Sequence, residues 1–233
     1  MIEPPSSESA GFADIEHWVF DLDNTLYSAE CRLFHQIDRR MGEYIAALFD
    51  MSFDAARRLQ KDYFRTHGTT LRGLMTNHGI DPADYLDYVH DIDLTAIDPS
   101  PALDRAISRL PGRKVIFTNA DRKHAEQVIG RLGIARHFDG IFDIFDADFV
   151  PKPDPGIYGA FVERHKVRPE RAVLFEDTAA NLAPAAALGM TTVLVRPGED
   201  GVVNDPGAPH IHHVTDDLAA WLTDAVSALN GKD

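Results

Sequence analysis

The residues most able to do chemistry are two aspartates, Asp21 and Asp23, at the end of an apolar run. Val19 and Phe20, which precede them, are typical of the end of a buried parallel strand. Such strands deliver their last residues to the ligand crevice of an open α/β sheet. Two carboxylates this close repel each other unless a proton or a metal ion intervenes. The pattern predicts a nucleophile, a proton carrier and a divalent cation, although an ordinary strand-to-loop turn uses the same residue types.

Polar residues also follow two later apolar runs. Thr118 comes directly after Val-Ile-Phe, and Glu176 and Asp177 come directly after Val-Leu-Phe. Lys152 lies between two prolines, which restrict the backbone of its loop. Each feature alone also suits a turn or a helix start. Their order at successive strand ends predicts a single site for phosphoryl transfer.

The charges of such a reaction suggest a role for each residue. A phosphate monoester is a dianion that repels a carboxylate nucleophile, so we expect Mg²⁺ between Asp21 and Asp177, because hard oxygen ligands favour it over zinc. Lys152 would add positive charge at the phosphoryl oxygens. Asp23 would protonate the leaving alcohol and later deprotonate water. The remaining phosphate donors would be the hydroxyl of Thr118 and the backbone amides of Asn119 and Ala120.

Strands and helices alternate around these residues. After the first strand, further strands are predicted over 114–117, 141–145, 172–175 and 192–195, with helices over 101–110, 121–132, 157–165, 179–188 and 215–228. This alternation predicts an α/β fold with a doubly wound parallel sheet and right-handed crossovers.

A helical block interrupts that alternation. From Glu30 to about Ile92 the pattern is helical, and it predicts four helices, the last of which runs from Pro82 to Ile92. An insertion just after the two aspartates would hang over the strand ends and close on a ligand. We therefore predict a core domain over 15–29 and 98–233, a helical cap domain over 30–97, and a flexible leader over 1–14.

The composition limits which partners and which location the protein can have. The formal net charge of −14, from 37 acidic and 23 basic residues, disfavours a nucleic-acid polymer as partner. No apolar run is long enough to predict a membrane span. The single cysteine, Cys31, fits a reducing compartment and predicts a cytoplasmic location. Monomer and homodimer both stay open.

The motif Asp21-Leu22-Asp23-Asn24-Thr25, with Thr118, Lys152 and Glu176-Asp177, resembles the four motifs of the haloacid dehalogenase superfamily over about residues 17–222. The resemblance implies a Rossmann-like core with a helical cap. It implies that Asp21 forms an aspartyl-phosphate and that the Asp23 carbonyl joins the Mg²⁺ shell. It further implies that Asp177 is a direct metal ligand and Glu176 an outer-shell or alternative one.

Within the superfamily, four segments resemble the pyrimidine 5′-nucleotidase group: 21–27, 70–74, 117–120 and 90–93. That resemblance implies a nucleoside monophosphate such as UMP or CMP as substrate, with Arg72 as a candidate cap contact. Other functions stay open on the same residues: a phosphatase for another small phosphorylated metabolite, a sugar phosphomutase, a 2-haloacid dehalogenase, or a binding module without catalysis.

Overall fold

The computed structural model describes residues 12–196 and 207–230. Six strands in these ranges form one parallel sheet in the order β3-β2-β1-β4-β5-β6. The strands are β1 His17–Phe20, β2 Arg113–Phe117, β3 Gly140–Phe142, β4 Ala172–Glu176, β5 Thr191–Val195 and β6 His213–Thr215. The predicted doubly wound α/β fold is confirmed.

The central strand β1 is buried on both faces. Trp18 and Phe20 pack into a cluster on one side of the sheet, whereas Val19 joins a separate cluster on the other. The first side is covered by α5 Pro101–Ser108, α6 Arg122–Leu132 and α9 Leu218–Asn230, and the second by α7 Pro155–His165 and α8 Ala179–Ala187. Two-sided burial explains the continuous apolar runs of the strands.

The register of the sheet brings three strand ends together. Phe20 lies opposite Ile116 of β2 and Phe175 of β4. Because all three strands run in the same direction, the residues that follow them emerge at the same edge. Asp21, Thr118 and Asp177 are therefore neighbours.

Four helices, which we call the cap, lie between β1 and β2 in the chain: α1 Leu33–Phe49, α2 Phe53–His67, α3 Thr70–His78 and α4 Pro82–Val89. They enclose an apolar cluster of their own, which includes Ile45, Leu74 and Val89. Gly73 lets α3 approach α2, since a Cβ there would lie 2.5 Å from the Tyr63 side chain. A core loop contributes Ile144 to the same cluster.

Several element boundaries differ from prediction. Helix α4 ends at Val89 rather than Ile92, because His90 leaves the helix and pairs with Asp121. Strand β3 ends at Phe142 rather than Phe145, since the Asp143 carboxylate accepts a hydrogen bond from the Asp146 amide at 2.9 Å and turns the chain. Helix α9 begins at Leu218 rather than Thr215, since Thr215 ends β6, which is not among the predicted strands; at three residues it is too short for a clear alternation.

Residues 1–11 of the predicted flexible leader, which was predicted over 1–14, lie outside the described residues. Phe12–Asp14 instead form a short 3₁₀ turn, and the Phe12 ring packs edge-to-face on Trp221 with centroids 5.1 Å apart. This contact fixes the last part of the predicted leader against α9. Among the described helices, we find none with the length and apolarity needed to cross a membrane.

Candidate active site

A cluster of three carboxylates lies at the carboxyl ends of β1 and β4. One oxygen each from Asp21, Glu176 and Asp177 lies within 4.8 Å of the other two. The Asp21 amide donates to the Phe175 carbonyl at 2.9 Å, which extends the β1–β4 pairing one residue beyond the strand. Sheet register thus brings together acids that are more than 150 positions apart in the chain.

Lys152 neutralises part of this cluster. Its Nζ donates to Asp21 Oδ1 at 2.7 Å, to Glu176 Oε2 at 2.7 Å and to the Phe117 carbonyl at 2.9 Å. The three acceptors use all three ammonium protons, so the side chain is fixed although it is almost wholly buried. A buried charge is tolerated only with such pairing.

One ammonium does not balance three carboxylates, and their pKa values reflect this. Burial raises the pKa of Asp21 to about 7, with a further rise from the charge of Glu176 and an opposing effect of Lys152. Burial likewise raises the pKa of Glu176 to about 7 against the effect of Lys152. Burial and the charge of Asp21 raise the pKa of Asp177 to about 6. The cluster therefore holds excess negative charge that a cation would relieve.

The donor set fits a hard divalent cation. All three groups offer carboxylate oxygens, and the described residues around them contribute no imidazole or thiolate to the cluster. Carboxylate oxygens suit Mg²⁺ or Ca²⁺ better than zinc or copper. Asp21, Glu176 and Asp177 are thus the side chains that could hold the ion.

The predicted phosphate-binding turn after β2 makes internal contacts. Thr118 Oγ1 accepts a hydrogen bond from the Ala120 amide at 3.0 Å, so that amide is already paired. The side chain of Asn119 accepts from the Lys152 amide at 2.8 Å and fixes the loop that carries the lysine. Asn119 and Ala120 both line a cavity, described below. The turn therefore supports Lys152 and also lines the cavity.

The side chain of Asp23 contacts residues outside the three-carboxylate cluster. Its Oδ1 accepts from the Tyr27 hydroxyl at 2.6 Å and meets Nε2 of His124 at 3.0 Å. Burial alone would raise the pKa of Asp23, but the charge and hydrogen bond of His124, with the Tyr27 hydrogen bond, hold it at about 2. The same partnership raises the pKa of His124 despite its burial. Asp21 and Asp23, two residues apart, thus have very different affinities for a proton.

The sequence analysis missed Tyr27 and His124 as parts of the site. Tyr27 lies four residues after Asp23, a spacing at which side chains meet in a helical turn. His124 is the third residue of α6, and its amide donates to the N-cap carboxylate of Asp121 at 2.8 Å. A polar residue in the first turn of the helix that follows β2 is the one signal that points to it.

A cavity of about 400 Å³ lies between this edge of the sheet and the cap. Asp23 and Asn119 form part of its core side, and Phe34, Phe64 and Leu71 form part of its cap side. Its wall is mostly apolar, as ligand pockets generally are.

Arg72 does not join this arrangement. Thr70 and Leu71 line the cavity, whereas Arg72 is half-buried and is not among the described residues that do so. The geometry gives no support to Arg72 as a substrate contact.

Comparison with known proteins agrees with this architecture. Residues 15–189 match the haloacid dehalogenase-like hydrolase family. The match covers most of the chain, including β1, the cap, β2 and β4. The chain therefore belongs to the haloacid dehalogenase-like hydrolases.

Two curated relatives are phosphate-related by name. Phosphate metabolism protein 8 of Saccharomyces cerevisiae is 28% identical over 197 residues, which cover 75% of this chain and 60% of that protein. The fructose-1-phosphate phosphatase YqaB of Escherichia coli is 30% identical over 112 residues, which cover 46% of this chain and 57% of the relative. The chain thus spans about 60% of the length of these relatives.

Solved structures share the fold across nearly the full chain. A haloacid dehalogenase-type phosphatase from Thermococcus onnurineus has a TM-score of 0.64 at 17% identity, covering 92% of this chain and 99% of that one. The L-2-haloacid dehalogenase from Xanthobacter autotrophicus has a TM-score of 0.57 at 17% identity, covering 94% and 100%. At this identity the likeness describes the fold only.

Proposed function

We propose that the protein is a Mg²⁺-dependent phosphomonoesterase that acts on nucleoside 5′-monophosphates of the pyrimidine type. One observation carries the phosphatase proposal: Asp21 shares a buried cluster with Lys152 and two further carboxylates, while Asp23 is held separately by Tyr27 and His124. A nucleophile beside a cation site and a separate proton carrier are what the reaction requires.

In this mechanism an Asp21 carboxylate oxygen attacks phosphorus, and the bond from phosphorus to the leaving oxygen breaks. Asp23 gives the leaving oxygen a proton. The phosphoryl dianion nearby favours the protonated form of Asp23 and so opposes the effect of His124 and Tyr27, which lower its pKa. Lys152 holds Asp21 in place and offsets negative charge. Bound Mg²⁺, on Asp21, Asp177 and the Asp23 carbonyl with Glu176 near it, would supply further charge compensation.

The second half of the reaction regenerates the enzyme. Asp23, now a carboxylate, takes a proton from water, and the water oxygen attacks phosphorus of the aspartyl-phosphate. Inorganic phosphate leaves and the Asp21 carboxylate is restored. Asp23 thus serves both halves, which requires its oxygen to stay close to the reacting atoms.

The cavity supports a leaving group with a flat apolar part. Phe34 and Phe64 offer aromatic surface for a base, and a volume of about 400 Å³ is of the size that small ligands occupy.

A phosphorylated sugar is the second candidate, because one relative is a fructose-1-phosphate phosphatase by name. The apolar wall speaks against it, since sugar hydroxyls buried there would lose hydrogen bonds to water. The three-carboxylate cluster speaks against haloacid dehalogenation, which needs no metal ion and no proton donor at Asp23.

The phosphatase proposal is tested with purified protein, Mg²⁺ and 4-nitrophenyl phosphate. Asp21→Asn should lower turnover at least about 10⁴-fold, because it removes the nucleophile. Asp50→Asn is the matched control, because Asp50 is exposed at the end of α1 and asparagine tolerates its φ of 48°. Unchanged turnover in Asp21→Asn would overturn the mechanism.

The substrate proposal needs a panel under the same conditions. UMP and CMP should give higher kcat/KM than AMP, fructose 1-phosphate and glucose 6-phosphate. If the sugar phosphates lead, the second candidate replaces the first. Release of chloride from 2-chloropropionate without Mg²⁺ would instead identify a dehalogenase, and an isomeric sugar phosphate as product would identify a mutase.

A further inference from the structure

A stack of two histidines joins the cap to the core beside Asp23. The rings of His90 and His124 lie with centroids 4.4 Å apart and planes inclined by 18°. His90 follows the last cap helix, and His124 belongs to α6 of the core. The contact between cap and core therefore involves His124, the residue that contacts Asp23 directly.

His124 is held by few groups. It is fully buried, its Nε2 meets Asp23 Oδ1 at 3.0 Å, and its Nδ1 has no hydrogen-bond partner among the described residues. Because an ionised carboxylate only accepts, Nε2 carries the proton in this contact. Among the described residues, the side chain of His124 thus makes one hydrogen bond, to Asp23, and one ring stack, with His90.

His90 is fixed in turn by Asp121. Its Nδ1 pairs with Asp121 Oδ2, and both side chains are about nine-tenths buried. The other oxygen of the same carboxylate accepts from the His124 amide at 2.8 Å. Asp121 therefore holds the cap histidine with one oxygen and the core histidine's backbone with the other.

The position of His90 makes this contact dependent on the cap. His90 lines the cavity on one side and a surface groove beside α6 on the other, so it forms part of the wall between them. Any opening of the cap away from α6 separates His90 from Asp121 and removes the ring stacked on His124.

We propose that His124 is a positioning residue that aligns Asp23, and that His90 and Asp121 complete this alignment only when the cap is closed. The proposal rests on the phosphatase function proposed above. It adds that a closed cap does more than exclude water: it sets the group that hands a proton to the leaving oxygen.

The proposal is tested by the leaving-group dependence of kcat/KM, which reports the steps up to formation of the aspartyl-phosphate. Phenyl phosphate has a basic leaving group that needs a proton, whereas 4-nitrophenyl phosphate has a stable one that needs little help. His124→Ala should lower kcat/KM about 10–100-fold for phenyl phosphate, as a partial loss of general acid catalysis. For 4-nitrophenyl phosphate the loss should stay below about threefold.

Conservative variants separate positioning from packing. His124→Gln places an amide nitrogen near the Nε2 position and should restore much of the phenyl phosphate activity, whereas His124→Asn should not. His90→Ala should show the same leaving-group dependence with a smaller loss of kcat/KM. It serves as the second test if His124→Ala fails to fold. His137→Ala is the matched control, because His137 also pairs with an aspartate, Asp104, at 2.7 Å, but beyond the far end of α6.

Equal losses on both aryl phosphates in His124→Ala and His90→Ala would overturn the proposal and leave only a packing role for the histidines. Absence of phosphate release by the wild-type protein would instead be a failure of the proposed function. The two failures are therefore distinguishable in one data set.

Discussion

The carboxyl edge of the sheet and the wall of the cap cavity differ in how their side chains are held. At the sheet edge, Lys152 has three close acceptors and Asp23 has two close partners, all buried or nearly so. In the cavity wall, Phe34 and Phe64 are 43% and 63% exposed. The core fixes charged groups at set distances, whereas the cap offers apolar surface with few directional contacts.

This difference indicates a division of tasks. Charge stabilisation requires groups held before the substrate arrives, because reorganising them would cost part of the catalytic gain. Binding of a leaving group depends mainly on contact area, which the apolar cap wall of the cavity can provide. We therefore expect substitutions in the cluster of Lys152 and the three carboxylates to affect all substrates, and substitutions in the cap wall of the cavity to affect some of them.

Among the tests of this division of tasks, the largest effect is expected from Lys152→Met, which leaves Asp21 and Glu176 without their shared cation. Turnover of 4-nitrophenyl phosphate and of UMP should both fall about 10²–10³-fold, because charge stabilisation is lost for every substrate. The free energy of unfolding should fall by about 3–5 kcal/mol, as when one partner of a buried ion pair is removed. Steady-state kinetics and urea denaturation measure the two effects.

Lys114→Met is the control for that substitution. Lys114 is half-buried on β2 and its Nζ donates to the Gly112 carbonyl at 3.0 Å, far from the carboxylate cluster in its contacts. A comparable loss of turnover in the control, or a loss for UMP alone in Lys152→Met, would contradict the division of tasks.

An intermediate effect is expected from pH on Mg²⁺ binding. The pKa of Asp21 in the folded protein, about 7, lies above its ordinary value of 3.8. Between pH 3.8 and pH 7 the metal-free folded protein therefore holds a proton on Asp21 that the unfolded chain has lost. Without metal, this group makes stability fall as the pH rises through that window. Mg²⁺ must displace this proton in order to bind. The apparent dissociation constant of Mg²⁺ should therefore rise about tenfold for each pH unit below pH 7, for each proton displaced.

Thermal unfolding with and without Mg²⁺ at pH 6 and pH 8 measures this without any substrate. The increase in Tm on adding Mg²⁺ should be larger at pH 8. In Glu176→Gln one acid with a pKa of about 7 is removed, and the pH dependence should weaken. The same Mg²⁺ response at both pH values in the wild-type protein would mean that the cluster is not the cation site.

The smallest effect is expected in the cap. Phe34→Ala should lower kcat/KM for UMP about tenfold through lost apolar contact, with less than about twofold change for acetyl phosphate, which has no large leaving group. Phe53→Ala is the matched control, because Phe53 is 42% exposed, close to the 43% of Phe34, and is not among the described cavity residues. Equal losses on both substrates would contradict a role of Phe34 in leaving-group binding.

The sequence predicted the sheet edge better than the cavity. Asp21, Thr118 and Glu176 directly follow apolar runs, and parallel strands bring such positions together whatever their separation in the chain. The partners of Asp23 were not predicted, because Tyr27 and His124 lie in a turn and in a helix, where side-chain direction depends on packing. The role of Asn119 was also only partly foreseen, since its side chain supports the Lys152 backbone.

The cap shows the same limit. Helical periodicity gave its four helices, but the end of α4 depends on the pairing of His90 with Asp121 of another segment. Arg72, the predicted cap contact, is not among the described residues that line the cavity, and its contact with substrate stays a prediction. Only the packed helix fixes which side chains of α3 are turned inward.

The strand order has a consequence for how this protein could be rebuilt. The chain leaves the sheet after β1, forms the four cap helices and rejoins the sheet at β2, the adjacent strand. None of the four cap helices takes part in the strand pairings of the described sheet. A helical bundle of different length or sequence could therefore be inserted between these two strands without changing any strand pairing of the sheet. Such an exchange would alter substrate specificity while the reacting groups at the sheet edge keep their positions.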